Sequence, residues 1–520
     1  MRGDSTILTG DVPIPIETAA EPLNILTPSL IEQAVLRFGL PLHIIFKERF
    51  LRNVKQFREV LGRNYPHSFI AFAVKSNPCR GAVRMAAEQG LGADVASEWE
   101  LRVTLEEIPQ DRFIICNGNA KSDEYLKLAM RMGCFIAVDS LFEWQRLKEL
   151  AYQEEHTPRI LLRVSGLPTE GWTDPQQNTA QRWTKFGIHW EIIPDLVKEV
   201  ANDQRAIWEG LSVHLGTQIC DPKAYQILVH SIYQLLRELY TSGYPARTID
   251  LGGGYPINFL SQEEWKEFRH RLWRQISTQL PPEEWVTWGG FPMGYEREIH
   301  PVQGQWKAPN NKTGETHPLA PSSSSSSDSL PAWSGKSYWS PYPKERMVEI
   351  MLNFTMEDGL LFKQGLKAIG EPQLIIEPGR ALIGSAGVTI ARVLGTKRVM
   401  GNWLVVADLG IVNHGTLLVT PDIHPIEIYP PHQDDQPVEV FIAGRLCFTG
   451  DMVSKVKVRI NRLPQRDEWL VIHHTGAYCA DHFASHNCGF PLPPKVAIDE
   501  EGNFQLWRRE ENFSTLFPPI

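Results

Sequence analysis

Certain short stretches carry residue types that do chemistry. Lys75 ends the apolar run Phe69–Val74 and precedes the turn signal Ser76-Asn77-Pro78. A lysine at the mouth of an apolar pocket can lose its proton through desolvation and then add to a carbonyl carbon, forming a Schiff base. A surface lysine that lays its stem over apolar neighbours is the competing account. Gly252-Gly253-Gly254 follows Ile249-Asp250-Leu251, so backbone N–H groups at a strand end can approach a phosphate closely, unless the glycines make only a tight turn. Glu377-Pro378-Gly379-Arg380 sets a carboxylate and a guanidinium at the end of another apolar run. Such a pair could keep a pyridine nitrogen protonated and bind phosphate, or form a rim salt bridge.

These groups need a frame. Eight short apolar runs occur at Phe69–Val74, Ala93–Ala96, Phe113–Cys116, Phe135–Val138, Ile160–Val164, Leu211–Leu215, Thr248–Leu251 and Leu374–Ile376. Most are followed by helix-like segments such as Arg80–Gln89, Glu98–Leu105, Ser122–Met132 and Leu141–Tyr152. Nearly all-apolar strands separated by helices imply a parallel sheet covered on its faces, and eight such units suggest a closed (β/α)8 barrel. After about Gly387, strand-like runs follow without helices, which reads as an all-β domain. The expected division is a barrel over 41–386 and a β domain over 387–520, which residues 1–40 join. A low-complexity insertion at about 281–343 interrupts the barrel. It holds the run Ser322–Ser327, while its tryptophans (Trp285, Trp288, Trp306 and Trp333 among them) suggest that part of it docks.

Composition excludes other classes. The chain has 520 residues, 42% hydrophobic and 22% charged, with a net charge of −9. This argues against a general nucleic-acid binder, because neutralising phosphates needs a basic surface. Mean hydropathy is −0.25, and the sequence holds no uninterrupted apolar run of bilayer length. The N-terminus lacks the basic-then-apolar layout of a secretory signal, so a cytoplasmic protein is expected. The seven cysteines are too scattered for a disulfide framework; Cys79, Cys116, Cys134 and Cys220 read as core or near-core thiols.

In a (β/α)8 barrel, catalytic groups sit at the C-terminal ends of the strands. The residues there are Lys75, Asp94 with Ser97, Asn117, Asp139, Arg163, His214, Gly252–Gly254, and Glu377 with Arg380. Some polar residues would fall at strand ends by chance, but this many of the types one mechanism needs is better evidence. The ordered set Ala73-Val74-Lys75-Ser76-Asn77, Gly92-Ala93-Asp94-Val95-Ala96-Ser97, His214-Leu215-Gly216-Thr217-Gln218, Asp250-Leu251-Gly252-Gly253-Gly254, Glu377-Pro378-Gly379-Arg380, Cys447 with Asp451, and Gly476-Ala477-Tyr478 resembles the fold-type III pyridoxal-phosphate decarboxylases. These are the ornithine and diaminopimelate decarboxylase group, whose barrel is like that of alanine racemase. The resemblance implies that Lys75 holds pyridoxal 5'-phosphate covalently, that His214 stacks on its ring and that Glu377 pairs with the ring nitrogen. Gly253, Gly254, Gly379, Arg380 and Tyr478 would hold the phosphate end, with Arg163 and Asp94 alongside. Cys447 would come from a partner subunit of a homodimer with shared active sites, and reprotonate the substrate carbon. Alanine racemases place an arginine where Glu377 stands, which weakens the electron sink; Glu377 therefore argues for decarboxylation of an amino acid.

Two substrate-reading elements depart from the pattern. Where the diaminopimelate and ornithine enzymes have a glutamate or an aspartate after the cysteine, this chain has Phe448, and an Arg-Pro-Ala-Leu-Tyr segment is replaced by His414-Gly415-Thr416-Leu417-Leu418. Asp408 or Asp451 remains as a reader of a distal amine, or the substrate carries none. An amino-acid racemase and an inactive regulatory homologue are the alternatives; the retained Lys75, Cys447 and Tyr478 oppose the second. A last cluster, Cys479, His482, His486 and Cys488 with Asp481 between, could hold zinc or form a loop at the rim. No metal is expected.

Overall fold

The computed structural model describes residues 27–109, 113–169, 178–277, 280–290, 338–411, 413–414, 423–481 and 486–518. Among the described residues, eighteen strands are formed: β1 (Leu42–Phe46), β2 (Ser68–Ala73), β3 (Gly92–Val95), β4 (Ile114–Cys116), β5 (Phe135–Val138), β6 (Arg159–Ser165), β7 (Ile188–His189), β8 (Ile207–Ser212), β9 (Thr248–Asp250), β10 (Gln373–Ile376), β11 (Gly387–Val399), β12 (Asn402–Ala407), β13 (Ile426–Tyr429), β14 (Val438–Ala443), β15 (Met452–Ile460), β16 (Trp469–His473), β17 (Lys495–Ile498) and β18 (Phe504–Arg508).

Eight of them close a parallel barrel in the order β5-β4-β3-β2-β10-β9-β8-β6, with β5 pairing β6 to complete the ring. Its interior holds a small apolar cluster, Ala71, Ile115, Phe135, Ala137, Leu161 and Ile375; the larger core lies between the strands and the outer helices. Several outer helices start on a serine cap placed just after a strand. Ser97 accepts from the Glu100 amide, Ser122 from Tyr125 and Ser140 from Glu143, each satisfying a donor that the first helical turn leaves orphaned. Ser97, grouped above with the rim chemistry, is thus a helix cap.

The second sheet runs β15-β14-β12-β11-β1-β17-β18, with β16 joining β11 to β13. β1 pairs antiparallel with β11 and parallel with β17, and the helix Pro28–Phe38 packs on that region through Ile31 and Ala34. The β domain therefore takes the chain through Phe46, a few residues beyond the expected boundary at 41. Both described ends of the insertion also pack here. Val286 and Tyr338 join the β-domain core, Thr287 bridges Val456, and Trp288 meets Phe441 edge-on with ring centroids 5.2 Å apart. Residues 281–290 and 338–343 are thus packed structure, and Trp288 is among the tryptophans on which docking of part of the insertion was expected. Trp306, Trp333 and the serine run lie outside the described residues. Among the described residues no helix is long and apolar enough to cross a membrane.

Candidate active site

The parallel register of β2 and β3 sets Ala73 opposite Asp94, which brings Asp94 to the turn carrying Lys75. The Lys75 ammonium donates to Asp94 Oδ2. Asn117, just past β4, spans the next gap: its Nδ2 donates to Asp94 Oδ1 at 2.8 Å and to Glu377 Oε1 at 2.7 Å. Asp94, Asn117 and Glu377 are buried, so three strand ends are tied by one polar chain where a low dielectric strengthens each bond. Asn117 was named above only as a rim residue; its place past an apolar strand was the one signal available.

The state of Lys75 differs from the desolvated amine expected. Burial by itself lowers its pKa, but the charges of Asp94, Glu377 and Tyr478 together with the Asp94 hydrogen bond outweigh burial, and the net shift is upward. The side chain is a protonated cation here, because an opposite charge at hydrogen-bond range stabilises it more than desolvation penalises it.

His214 lies past β8. Its Nδ1 accepts from the Gly253 amide at 3.1 Å and stands 3.7 Å from Glu377 Oε2, beyond hydrogen-bond range. Accepting at Nδ1 puts the proton on Nε2. Burial also lowers its pKa, with Lys75 and Arg163 adding to the effect against Glu377, so the imidazole is neutral. Asp250 accepts from Ser212 Oγ at 2.7 Å and from the Gly252 amide at 2.9 Å, fixing the start of the glycine turn. Burial and then Glu377 raise its pKa well above the ordinary carboxylate range. Side chains are excluded from this turn: a Cβ on Gly253 would lie 2.3 Å from the Glu377 carbonyl oxygen, and one on Gly254 (φ +87°) 2.5 Å from that of Gly216. Arg163 is paired with Asp139 at 3.3 Å.

One cleft gathers Lys75, His214, Gly254, Glu377, Gly379, Arg380 and Tyr478. The Arg380 guanidinium lies 5.1 Å over the Tyr478 ring. Tyr478 comes from the β domain, and the seam is stitched: its amide donates to the Ser76 carbonyl at 2.8 Å, Asn77 Nδ2 donates to the Gly476 carbonyl at 3.0 Å, and Lys495 Nζ donates to Asn77 Oδ1 at 3.0 Å.

Residues 47–283 match the family model described as the pyridoxal binding domain of the pyridoxal-dependent decarboxylases. That stretch, a little under half of the chain, is similar to the family's pyridoxal binding domain. Along its length it is similar to the diaminopimelate decarboxylase of Synechocystis sp. (24% identical, 94% of this chain and 87% of the relative) and to that of Zymomonas mobilis (23% identical, 98% and 95%). Its fold matches the crystal structure of diaminopimelate decarboxylase from M. jannaschii in co-complex with L-lysine, with a TM-score of 0.68 at 21% identity over 94% of this chain and 93% of that one.

The cleft fits the family's cofactor, pyridoxal phosphate. It offers an amine for the aldehyde, a buried carboxylate for the ring nitrogen, and, for the phosphate, a cation beside a glycine turn whose space any Cβ would fill.

The remaining expected site residues lie elsewhere. Cys447 and Phe448 sit on the loop between β14 and β15, both exposed and neither lining the cleft of their own chain. Asp451 is buried at the base of that loop, where Oδ1 accepts the Ile411 amide at 2.6 Å and Oδ2 the Leu446 amide at 2.8 Å. Asp408 accepts the Arg392 amide at 2.7 Å. Both carboxylates are engaged with backbone amides, Asp451 through both oxygens and Asp408 through Oδ1. The proposed zinc set does not assemble among the described residues: His486 pairs with Glu511 at 2.8 Å, Cys488 is exposed, Cys479 is buried, and His482 lies outside the described residues.

Proposed function

We propose that the protein decarboxylates an amino acid with pyridoxal phosphate, and that its substrate differs from diaminopimelate and ornithine at the end away from the reacting carbon. The observation that carries the first half is the opening of Lys75 and Glu377 into one cleft, with His214 beside them. When bound, the cofactor supplies a protonated ring that accepts the electron pair left as carbon dioxide departs. Glu377 favours that proton by its negative charge, and Asn117 fixes the carboxylate by donating to Oε1. His214, neutral and pinned by Gly253, offers a flat face for stacking. Arg380, Gly253, Gly254, Gly379 and Tyr478 bind the phosphate end, with Arg163 and Asp94 alongside. Lys75 attaches the cofactor only as a free amine, so it first gives up a proton, and Asp94 is the acceptor already in contact. Cys447 of the partner subunit returns a proton to the substrate carbon in a homodimer.

The second half rests on the loop 444–451. Its one carboxylate, Asp451, is spent on two amides, and Phe448 stands exposed where the resemblance implies an acid. A cationic distal group therefore has no acidic reader on this loop, which favours a neutral or apolar one.

The test is carbon dioxide release from a panel of basic, acidic, apolar and D-configured amino acids. Turnover greatest for a neutral or apolar amino acid is expected. Preference for diaminopimelate, lysine or ornithine overturns the substrate assignment and leaves the decarboxylase reading standing. Inversion of an amino acid with no carbon dioxide released overturns both.

A further inference from the structure

We propose that His414, His424 and Cys479 form a zinc-binding site behind the cofactor cleft. Their ligand atoms all lie within 4.8 Å of one another, and all three residues are buried. They arrive from separate places: His414 follows β12, His424 precedes β13, and Cys479 follows Tyr478.

The state of His424 points to a ligand. Its Nδ1 is 2.8 Å from the His473 carbonyl, an acceptor only, so Nδ1 carries the proton and donates. Nε2 is then the lone-pair nitrogen. It is buried and has no hydrogen-bond partner among the described residues. Metal-bound histidines are commonly held this way, one nitrogen donating to a carbonyl and the other facing the ion. The His414 and His424 rings meet edge-on with centroids 5.0 Å apart, and Phe259 closes the other side of His424 at 5.1 Å.

The dimensions suit the ion. Bonds of about 2.0–2.3 Å in a tetrahedron set the ligand atoms about 3.3–3.7 Å apart. Donors within 4.8 Å reach that geometry by rotamer adjustments of about 1 Å. Two imidazoles and a thiol select zinc over magnesium or calcium, which require oxygen ligands. Binding breaks the Cys479 S–H bond, releasing the proton to solvent as the thiolate bonds the ion; the present contact of Sγ with the Ala477 carbonyl at 3.3 Å is given up. A water takes the fourth position. Because Cys479 adjoins Tyr478, which holds a left-handed conformation (φ +60°), the ion braces the turn that delivers Tyr478 to the cleft.

The experiment loads the cofactor-bound protein with zinc, dialyses it and counts metal per chain, then repeats the loading with cobalt and records the visible spectrum. One zinc per chain is expected for the unaltered protein and for the double variant His486→Ala, Cys488→Ser, with loss in His424→Gln and in Cys479→Ser. The cobalt form of Cys488→Ser should show a sulfur-to-metal charge-transfer band and tetrahedral d–d bands. Retention of no stoichiometric zinc, or its unchanged retention in His424→Gln and Cys479→Ser, overturns the site, as does its loss in the His486/Cys488 double variant. If Cys479→Ser does not fold, the cobalt spectrum of Cys488→Ser decides: absence of the charge-transfer band refutes the thiolate ligand.

Discussion

The barrel rim and the loop at 444–451 are built on opposite plans. At the rim, Lys75, Asp94, Asn117 and Glu377 are joined in one chain of contacts across four strand ends, and the groups that link them are buried. In the loop, a single buried carboxylate, Asp451, holds the base while Cys447 and Phe448 face outward. A network of mutually satisfied groups keeps its geometry without outside help. An exposed tip on a braced base gains a chemical role only against another surface. On the proposed function, the cofactor half of the site lies within one chain, and the substrate half stands open.

The sharpest way to break this contrast is to disable each half separately. Lys75→Ala should lower turnover about 10³-fold or more and abolish the visible absorption of the cofactor-bound protein, and Cys447→Ala should lower kcat about 10²-fold while leaving that absorption intact. Co-expressed or subunit-exchanged, the two inactive variants should regain part of the activity; no recovery would place both groups in the service of one chain. Within the rim, Glu377→Gln should reduce kcat about 10²-fold with cofactor still bound, because the amide keeps the shape but loses the charge that favours a protonated ring nitrogen. Unchanged kcat would remove Glu377 from the chemistry.

At the loop base, Asp451→Asn replaces one acceptor by a donor facing a backbone amide. It should destabilise the protein by about 1–3 kcal/mol in thermal or denaturant unfolding, with cofactor content unaffected. The smallest effect concerns pH. His43 is buried, bonded through Nδ1 to Thr389 at 2.8 Å, and held well below its ordinary pKa by burial and then by Arg508 and Lys495. The native state keeps it neutral, whereas the unfolded chain takes up a proton below about pH 6.5. Stability is therefore lost as pH falls through that value, by about 1.4 kcal/mol per pH unit from this group. Denaturant titrations at pH 7 and pH 5 should show a shallower decline in His43→Asn.

Much of the barrel was legible because its strands are short, apolar and separated by helices: every expected run overlaps a barrel strand. The sixth run shows the limit. Leu211–Leu215 reads as strand, but β8 spans Ile207–Ser212, since Val213 and Leu215 remain buried beyond the strand. In the β domain, β15 is no plain apolar run, because Lys455, Lys457 and Arg459 alternate with apolar residues, and β18 is an edge strand with little burial. At the site, residue types were readable and protonation states were not. Lys75 is a cation because the β2–β3 register delivers Asp94 to it, a distance that no local pattern encodes. Asp451 looked like a reader of amines because a carboxylate that caps two amides has the same identity as one left free. His414 and His424 went unpaired with Cys479 for a similar reason, since only the tertiary fold brings them together.

The seam at Ser76–Asn77 constrains how this molecule can move. A clamshell swing of the barrel against its own β domain would tear the bonds from Tyr478, Asn77 and Lys495 at the very turn that bears the reactive amine. Each polypeptide is thus a rigid lobe at that point. In the homodimer proposed above, admission of reactant and escape of product would fall to side-chain rotation and to the spacing between the two copies, so catalytic throughput should respond to the assembly equilibrium more than to any hinge within a chain.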